Sequence, residues 1–210
     1  MRAVRGADWP WVTIVVATVC VTFVAMPESL IEPLSGDRRA ILHGELWRLW
    51  SAHLTHFSLR HALIDSVTLL LIGTMAESIF GSRRIALFLL IGAPLISSGI
   101  VLASPALLDY RGASAIAIML ATMVGLSLWQ SRPTSRLTLG ILAACLLVKI
   151  GCDATGMSLT LTDLPDHVRV AWQAHLLAVA LGALYDFLPT RMQQTDAITG
   201  LLRADVPHPQ

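Results

Sequence analysis

Six stretches of this sequence are too long and too apolar to face water, and short charged clusters separate them. They cover residues 11–26, about 56 or 61 to 80, 85–103, 114–129, 137–152 and about 170–188. A helix needs about 20 apolar residues to cross the hydrocarbon core of a bilayer, and inside it every backbone polar group must be satisfied within the segment. Runs of this length are therefore read as membrane helices. Composition agrees, with 55% hydrophobic residues, 14% charged residues and a mean hydropathy of +0.67. A soluble domain carries about 25% charge. The expected fold is an all-α membrane protein, a six-transmembrane-helix bundle with a long interfacial loop between helices 1 and 2. Residues 11–188 form the membrane domain, between a short N-terminus (1–10) and a polar tail (189–210).

Arg2 and Arg5 precede the first run as in a signal peptide. No small-x-small cleavage site follows and further spans do, so the run is read as a retained helix. The connection over residues 27–56 ends in Trp47, Trp50 and His53, and tryptophan prefers the membrane–water interface. One side of the bundle holds Arg2, Arg5, Arg83, Arg84, Arg132, Arg136, Arg191 and Arg203; the other holds Arg38, Arg39, Arg48, Arg60, Arg111 and Arg169. With the long first loop discounted, positive residues in short loops put both termini in the cytoplasm. The net charge of +1 gives no reason to expect nucleic acid. Cys20, Cys145 and Cys152 have neither metal-site nor disulfide-framework spacing.

This topology runs spans two, four and six in the same direction, so their first residues share one outer layer. Span two begins with His56 and His61, span four with Ser114, and span six with His175. Asp65 lies one turn below His61, because i and i+4 stack on a helix. Ionisable residues inside spans are costly and mark cavities or functional sites. Ser114 has two readings, an ordinary N-cap or a nucleophile beside the free N–H groups of a helix start. His175 is then a general base, or a histidine packed in the bundle. His56, His61 and the Ser114 N–H are candidate oxyanion donors.

These residues resemble the rhomboid intramembrane serine proteases over about residues 45–186. Trp47-Arg48 is similar to the pair in that family's large first loop. His56-Phe57-Ser58-Leu59-Arg60-His61-Ala62-Leu63-Ile64-Asp65 resembles its His-x4-His-x3-Asn pattern, and Gly73-x3-Glu77-x3-Gly81-Ser82 the end of the same span. Gly112-Ala113-Ser114-Ala115 resembles the motif Gly-x-Ser-Gly, and Ala174-His175-x2-Ala178-x3-Gly182 the motif Ala-His-x2-Gly-x3-Gly. The resemblance implies a rhomboid-like bundle that hydrolyses a peptide bond in or beside a substrate's transmembrane helix. It implies a Ser114–His175 dyad, oxyanion or supporting roles for His56, His61, Asp65 and Gly112, and a structural loop role for Trp47 and Arg48. No metal or other cofactor is implied, and the partners are membrane-anchored substrates and the lipid bilayer. The Tyr110-Arg111-Gly112 lead-in looks most like the rhombosortase branch, which processes C-terminal anchors of exported proteins and would place the chain in a bacterial inner membrane.

The chain departs from the pattern at three positions. Asp65 stands in place of an asparagine, so a carboxylate sits where an amide would donate to an oxyanion; it serves if protonated or if it supports a histidine. Ala115 and Ala178 stand in place of glycines and add methyl groups between spans four and six. Two other function classes therefore stay open. An inactive relative would hold client helices. A metal-dependent hydrolase would use His56, His61, Asp65 and His175, but two histidines five apart on one helix diverge by about 140°, so His56 would have to precede the helix. Outside the site, Glu77 is expected to cap or to pair with Arg83 or Arg84. Lys149 is expected to snorkel, Asp186 to bond a neighbouring helix or Arg191, and His43 and His53 carry no assigned role.

Overall fold

The computed structural model describes residues 9–157 and 170–187. Asp163, Asp166, His167 and Arg169 in the polar stretch ahead of the sixth run, the side chain of Asp186 and the tail from Pro189 lie outside the described residues. Helix α1 (Trp11–Val24) is followed by a connection of short helices, α2 (Glu28–Ile31), α3 (Arg38–Leu42) and α4 (Arg48–Ser51). Five longer helices follow: α5 (Leu59–Phe80), α6 (Ser82–Ala103), α7 (Ser114–Ser131), α8 (Arg136–Ala154) and α9 (Trp172–Phe187). Four segments, Leu59–Phe80, Ser82–Ala103, Ser114–Ser131 and Pro133–Ala154, are long and apolar enough to cross a membrane. Trp11–Val24 and Trp172–Tyr185 are apolar but shorter. At 1.5 Å per residue the 14 residues of α1 span about 21 Å.

Local chemistry sets the helix ends. Ser58 has extended backbone, and its hydroxyl accepts the His61 N–H at 3.1 Å, so α5 starts at Leu59 and not at His56. Buried positions on α5 recur as Ala62, Asp65 and Ser66, Leu69, Gly73, and Ala76 and Glu77. That stripe of three- and four-residue steps is the face of a packed helix. It lies against α1 on one side and α7 on the other, and α9 closes on the far side of α7. Ala115, Ile116, Ala117, Met119, Leu120, Met123 and Val124 of α7 are all buried, so α7 is the central helix. Gly182 permits the tight α7–α9 crossing: a Cβ there would stand 2.5 Å from the Met119 carbonyl oxygen. Helix α8 packs least, with Ile150 and Asp153 its buried residues.

Two buried polar contacts place the remaining pieces. Glu77 caps the start of α1. Its Oε1 accepts from the Thr13 backbone N–H at 2.7 Å and the Thr13 hydroxyl at 2.6 Å. The first turn of α1 has unsatisfied N–H donors and a positive dipole end, and a carboxylate facing it from α5 satisfies both. The connection after α1 is held by Arg48, which is buried and bonds Glu45, Glu32 O and Ser35 O at 2.7, 2.6 and 3.0 Å. Trp47 stays half exposed and bonds Pro33 O. Trp50 donates at 2.8 Å to Leu90 O, the carbonyl that Pro94 of α6 leaves without its helical donor.

Candidate active site

The candidate site lies where α5, α7 and α9 meet. Residues 108–112 run beside the first connection: Gly36 N–H donates to Tyr110 O, Arg38 N–H to Leu108 O, and Gly112 N–H to Ala52 O, at 2.9, 2.9 and 3.1 Å. Arg111 bonds Glu28 at 2.7 Å and Asp109 at 3.1 Å and lies over the Phe57 ring. Burial works against the Arg111 charge, but the two carboxylates outweigh it and hold the guanidinium above its usual pKa. Gly112 then takes φ +135°, which an L side chain rarely adopts, and a Cβ there would stand 3.0 Å from His61 Nε2 and 3.2 Å from Asp65 Oδ2. Both the conformation and the space call for glycine.

Helix α7 begins at Ser114, yet its start is capped from another helix. Asp65 Oδ2 of α5 accepts the N–H groups of Ala113 at 2.8 Å and Ser114 at 3.0 Å. The Ser114 hydroxyl makes no cap and faces α9, with Oγ 3.0 Å from His175 Nε2. Ala115 and Ala178 are both fully buried, so the two added methyl groups fit while this distance stays that of a hydrogen bond. His175 is buried, and its Nδ1 has no partner among the described residues.

His56 lies ahead of α5, in the non-helical approach, so it does not diverge from His61. Their rings meet edge-to-face at 4.9 Å, and the two Nε2 atoms lie 3.2 and 3.4 Å from Asp65 Oδ2. One carboxylate oxygen thus accepts two N–H groups from the head of α7 and has two imidazole nitrogens beside it. The Ser114 N–H, expected as a free oxyanion donor, is held by Asp65. His56, His61 and Asp65 are also the residues that could hold a metal ion, with one ligand atom of each within 4.8 Å of the others. His175 is not part of that group; it faces Ser114.

Two further residues stand differently from their sequence reading. Lys149 bonds the buried Asp153 carboxylate at 2.6 Å, one turn along α8. His53, which nothing in the sequence set apart from His43, is 1% exposed, whereas His43 is exposed and its ring lies on Arg39 O. A histidine three residues before His56 in an uncharged stretch was the available signal, and it gave no direction.

No curated protein matches the chain. Residues 43–191 match the Rhomboid domain, an interval that starts ahead of Trp47-Arg48 and takes in every residue of the cluster around Ser114 and His175. A match over so much of the sequence makes the chain an integral membrane protein of the rhomboid family, a family of intramembrane serine proteases.

Proposed function

We propose that this protein is an active intramembrane serine endopeptidase that cuts a substrate in or next to a transmembrane helix. The observation that carries the reading is the 3.0 Å approach of Ser114 Oγ to His175 Nε2 at the head of a helix whose start is capped by other residues. In this reading His175 takes the hydroxyl proton as Ser114 attacks the scissile carbonyl, and then gives it to the leaving amine. Water enters, loses a proton to His175 and releases the acyl group from Ser114. The absence of an acid at His175 Nδ1 among the described residues favours a dyad over a triad. His56 and His61 are the candidate donors to the developing oxyanion, with Gly112 keeping their space open and Trp47 and Arg48 holding the loop above them.

The arginine distribution favours both termini in the cytoplasm, with 1–10 and 189–210 as cytoplasmic ends and the dyad near the outer face. The Tyr110-Arg111-Gly112 lead-in favours rhombosortase-type processing of C-terminal anchors. A metal-dependent hydrolase has one observation on its side, the close His56, His61 and Asp65 atoms. Asp65 Oδ2 already accepts the Ala113 and Ser114 N–H groups, and that chemistry would leave the Ser114–His175 pair without a role. An inactive client-binding relative rests only on Asp65, Ala115 and Ala178.

The test is labelling of the detergent-solubilised protein with a fluorophosphonate, in which Ser114 Oγ bonds phosphorus, fluoride leaves and His175 receives the proton. Labelling in the wild type that is lost in Ser114→Ala and His175→Ala is the expected result. A folded wild type that does not label refutes the proposal, and stoichiometric zinc in that sample would support the metal reading.

A further inference from the structure

His53 takes no part in the chemistry above, yet it is among the most buried polar residues described. Its imidazole joins three pieces of chain. Nε2 lies 3.0 Å from Ala93 O and 2.9 Å from Ser97 Oγ, both on α6. Nδ1 lies 3.4 Å from the Tyr110 hydroxyl, which also donates to Gly112 O at 3.2 Å. The Tyr110 ring stands edge-to-face on the imidazole at 5.3 Å.

The partners assign the tautomer. A carbonyl only accepts, so Nε2 carries the hydrogen toward Ala93 O, and the one hydrogen of the Tyr110 hydroxyl is shared between Gly112 O and His53 Nδ1. Burial holds this imidazole neutral, with its pKa pulled down to about 4, which keeps Nδ1 available as an acceptor. The same connection is fixed to α6 a turn away, through Trp50 on Leu90 O.

The Gly112–Ala113 peptide is consequently held at both edges. Its carbonyl accepts from Tyr110 and its N–H donates to Asp65 at 2.8 Å. That plane lies one residue ahead of Ser114, and at φ +135° the Gly112 backbone has no steric preference to hold it unaided. Rotation of this plane would carry Ser114 Oγ away from His175.

We propose that His53 and Tyr110 are positioning residues for the candidate dyad, a buried strut that braces the Gly112–Ala113 peptide against α6. This rests on the protease reading. The strut acts on geometry and makes no contact with a substrate.

The experiment compares fluorophosphonate labelling rates of wild type, Tyr110→Phe, His53→Gln and the double variant, with kcat and KM for a transmembrane peptide and a thermal midpoint for each. Tyr110→Phe keeps the ring on His53 and removes one oxygen. His53→Gln keeps a donor for Ala93 O and removes the Nδ1 acceptor. Each single variant should label on the order of tenfold slower, with kcat reduced and KM unchanged, because small displacements of a nucleophile are costly. The double variant should be no slower than the singles, since both remove one strut. Val12→Ala, a core change on the α1 face, serves as a stability control and should keep the wild-type labelling rate. Labelling of folded Tyr110→Phe at the wild-type rate, or losses that multiply in the double variant, would overturn the strut alone. A wild type that does not label overturns the protease reading and this inference with it.

Discussion

Asp65→Asn tests the site most sharply, because it should move stability and reactivity in opposite directions. Asp65 Oδ2 accepts from Ala113 N–H and Ser114 N–H and lies 3.2 and 3.4 Å from the His56 and His61 Nε2 atoms. Replacing the carboxylate by an amide keeps a carbonyl acceptor but removes the charge from the positive end of α7. Charge-assisted hydrogen bonds are about twice as strong as neutral ones, and an anion at a helix N-terminus contributes up to about 2 kcal/mol when partly buried. A loss of roughly 2 kcal/mol in stability is expected. The reaction gains more. For an oxyanion and a carboxylate separated by roughly 5 Å at an effective dielectric of about 20, the repulsion is about 3 kcal/mol. The amide removes it and adds a donor. Asp65→Asn should therefore unfold a few degrees lower in detergent, yet label with fluorophosphonate on the order of a hundredfold faster at neutral pH. A folded Asp65→Asn protein that labels no faster than wild type would refute the argument that this carboxylate opposes the oxyanion.

Gly112→Ala should be damaging for two separable reasons. Its φ of +135° costs an L residue about 1–3 kcal/mol, and the added Cβ would press on His61 Nε2 and Asp65 Oδ2, so both the thermal midpoint and the labelling rate should fall; a wild-type midpoint would contradict the backbone assignment. His53 should also give stability a pH dependence of known sign. Its pKa is about 4 in the folded protein against 6.5 ordinarily, so as pH falls the unfolded chain binds a proton first. Stability contributed by the neutral ring is then full above about pH 6.5 and declines toward pH 4 by roughly 3 kcal/mol. Thermal midpoints measured across that window should fall more steeply for wild type than for His53→Gln, and parallel curves would count against a neutral buried His53.

The sequence by itself determined the helical segments and most of the residues at the site. Apolar runs of bilayer length and the position of Ser114 at the head of α7 are local patterns, and local patterns set where helices start and stop. The order of the spans was enough to bring His56, His61, Ser114 and His175 toward one layer. What the sequence left open were partnerships between residues far apart in the chain. Whether Ser114 caps its helix or faces His175 depended on Asp65, 49 residues away, taking over the cap. Glu77 bonds Thr13, 64 residues away, because α1 leaves its first N–H groups against that face of α5. His53 and His43 look alike in sequence; only the packing of the first connection onto the Pro94 region of α6 buried one and left the other in the open. Hydrogen bonds of buried polar groups are settled by which helix faces meet, and that is decided by the tertiary structure.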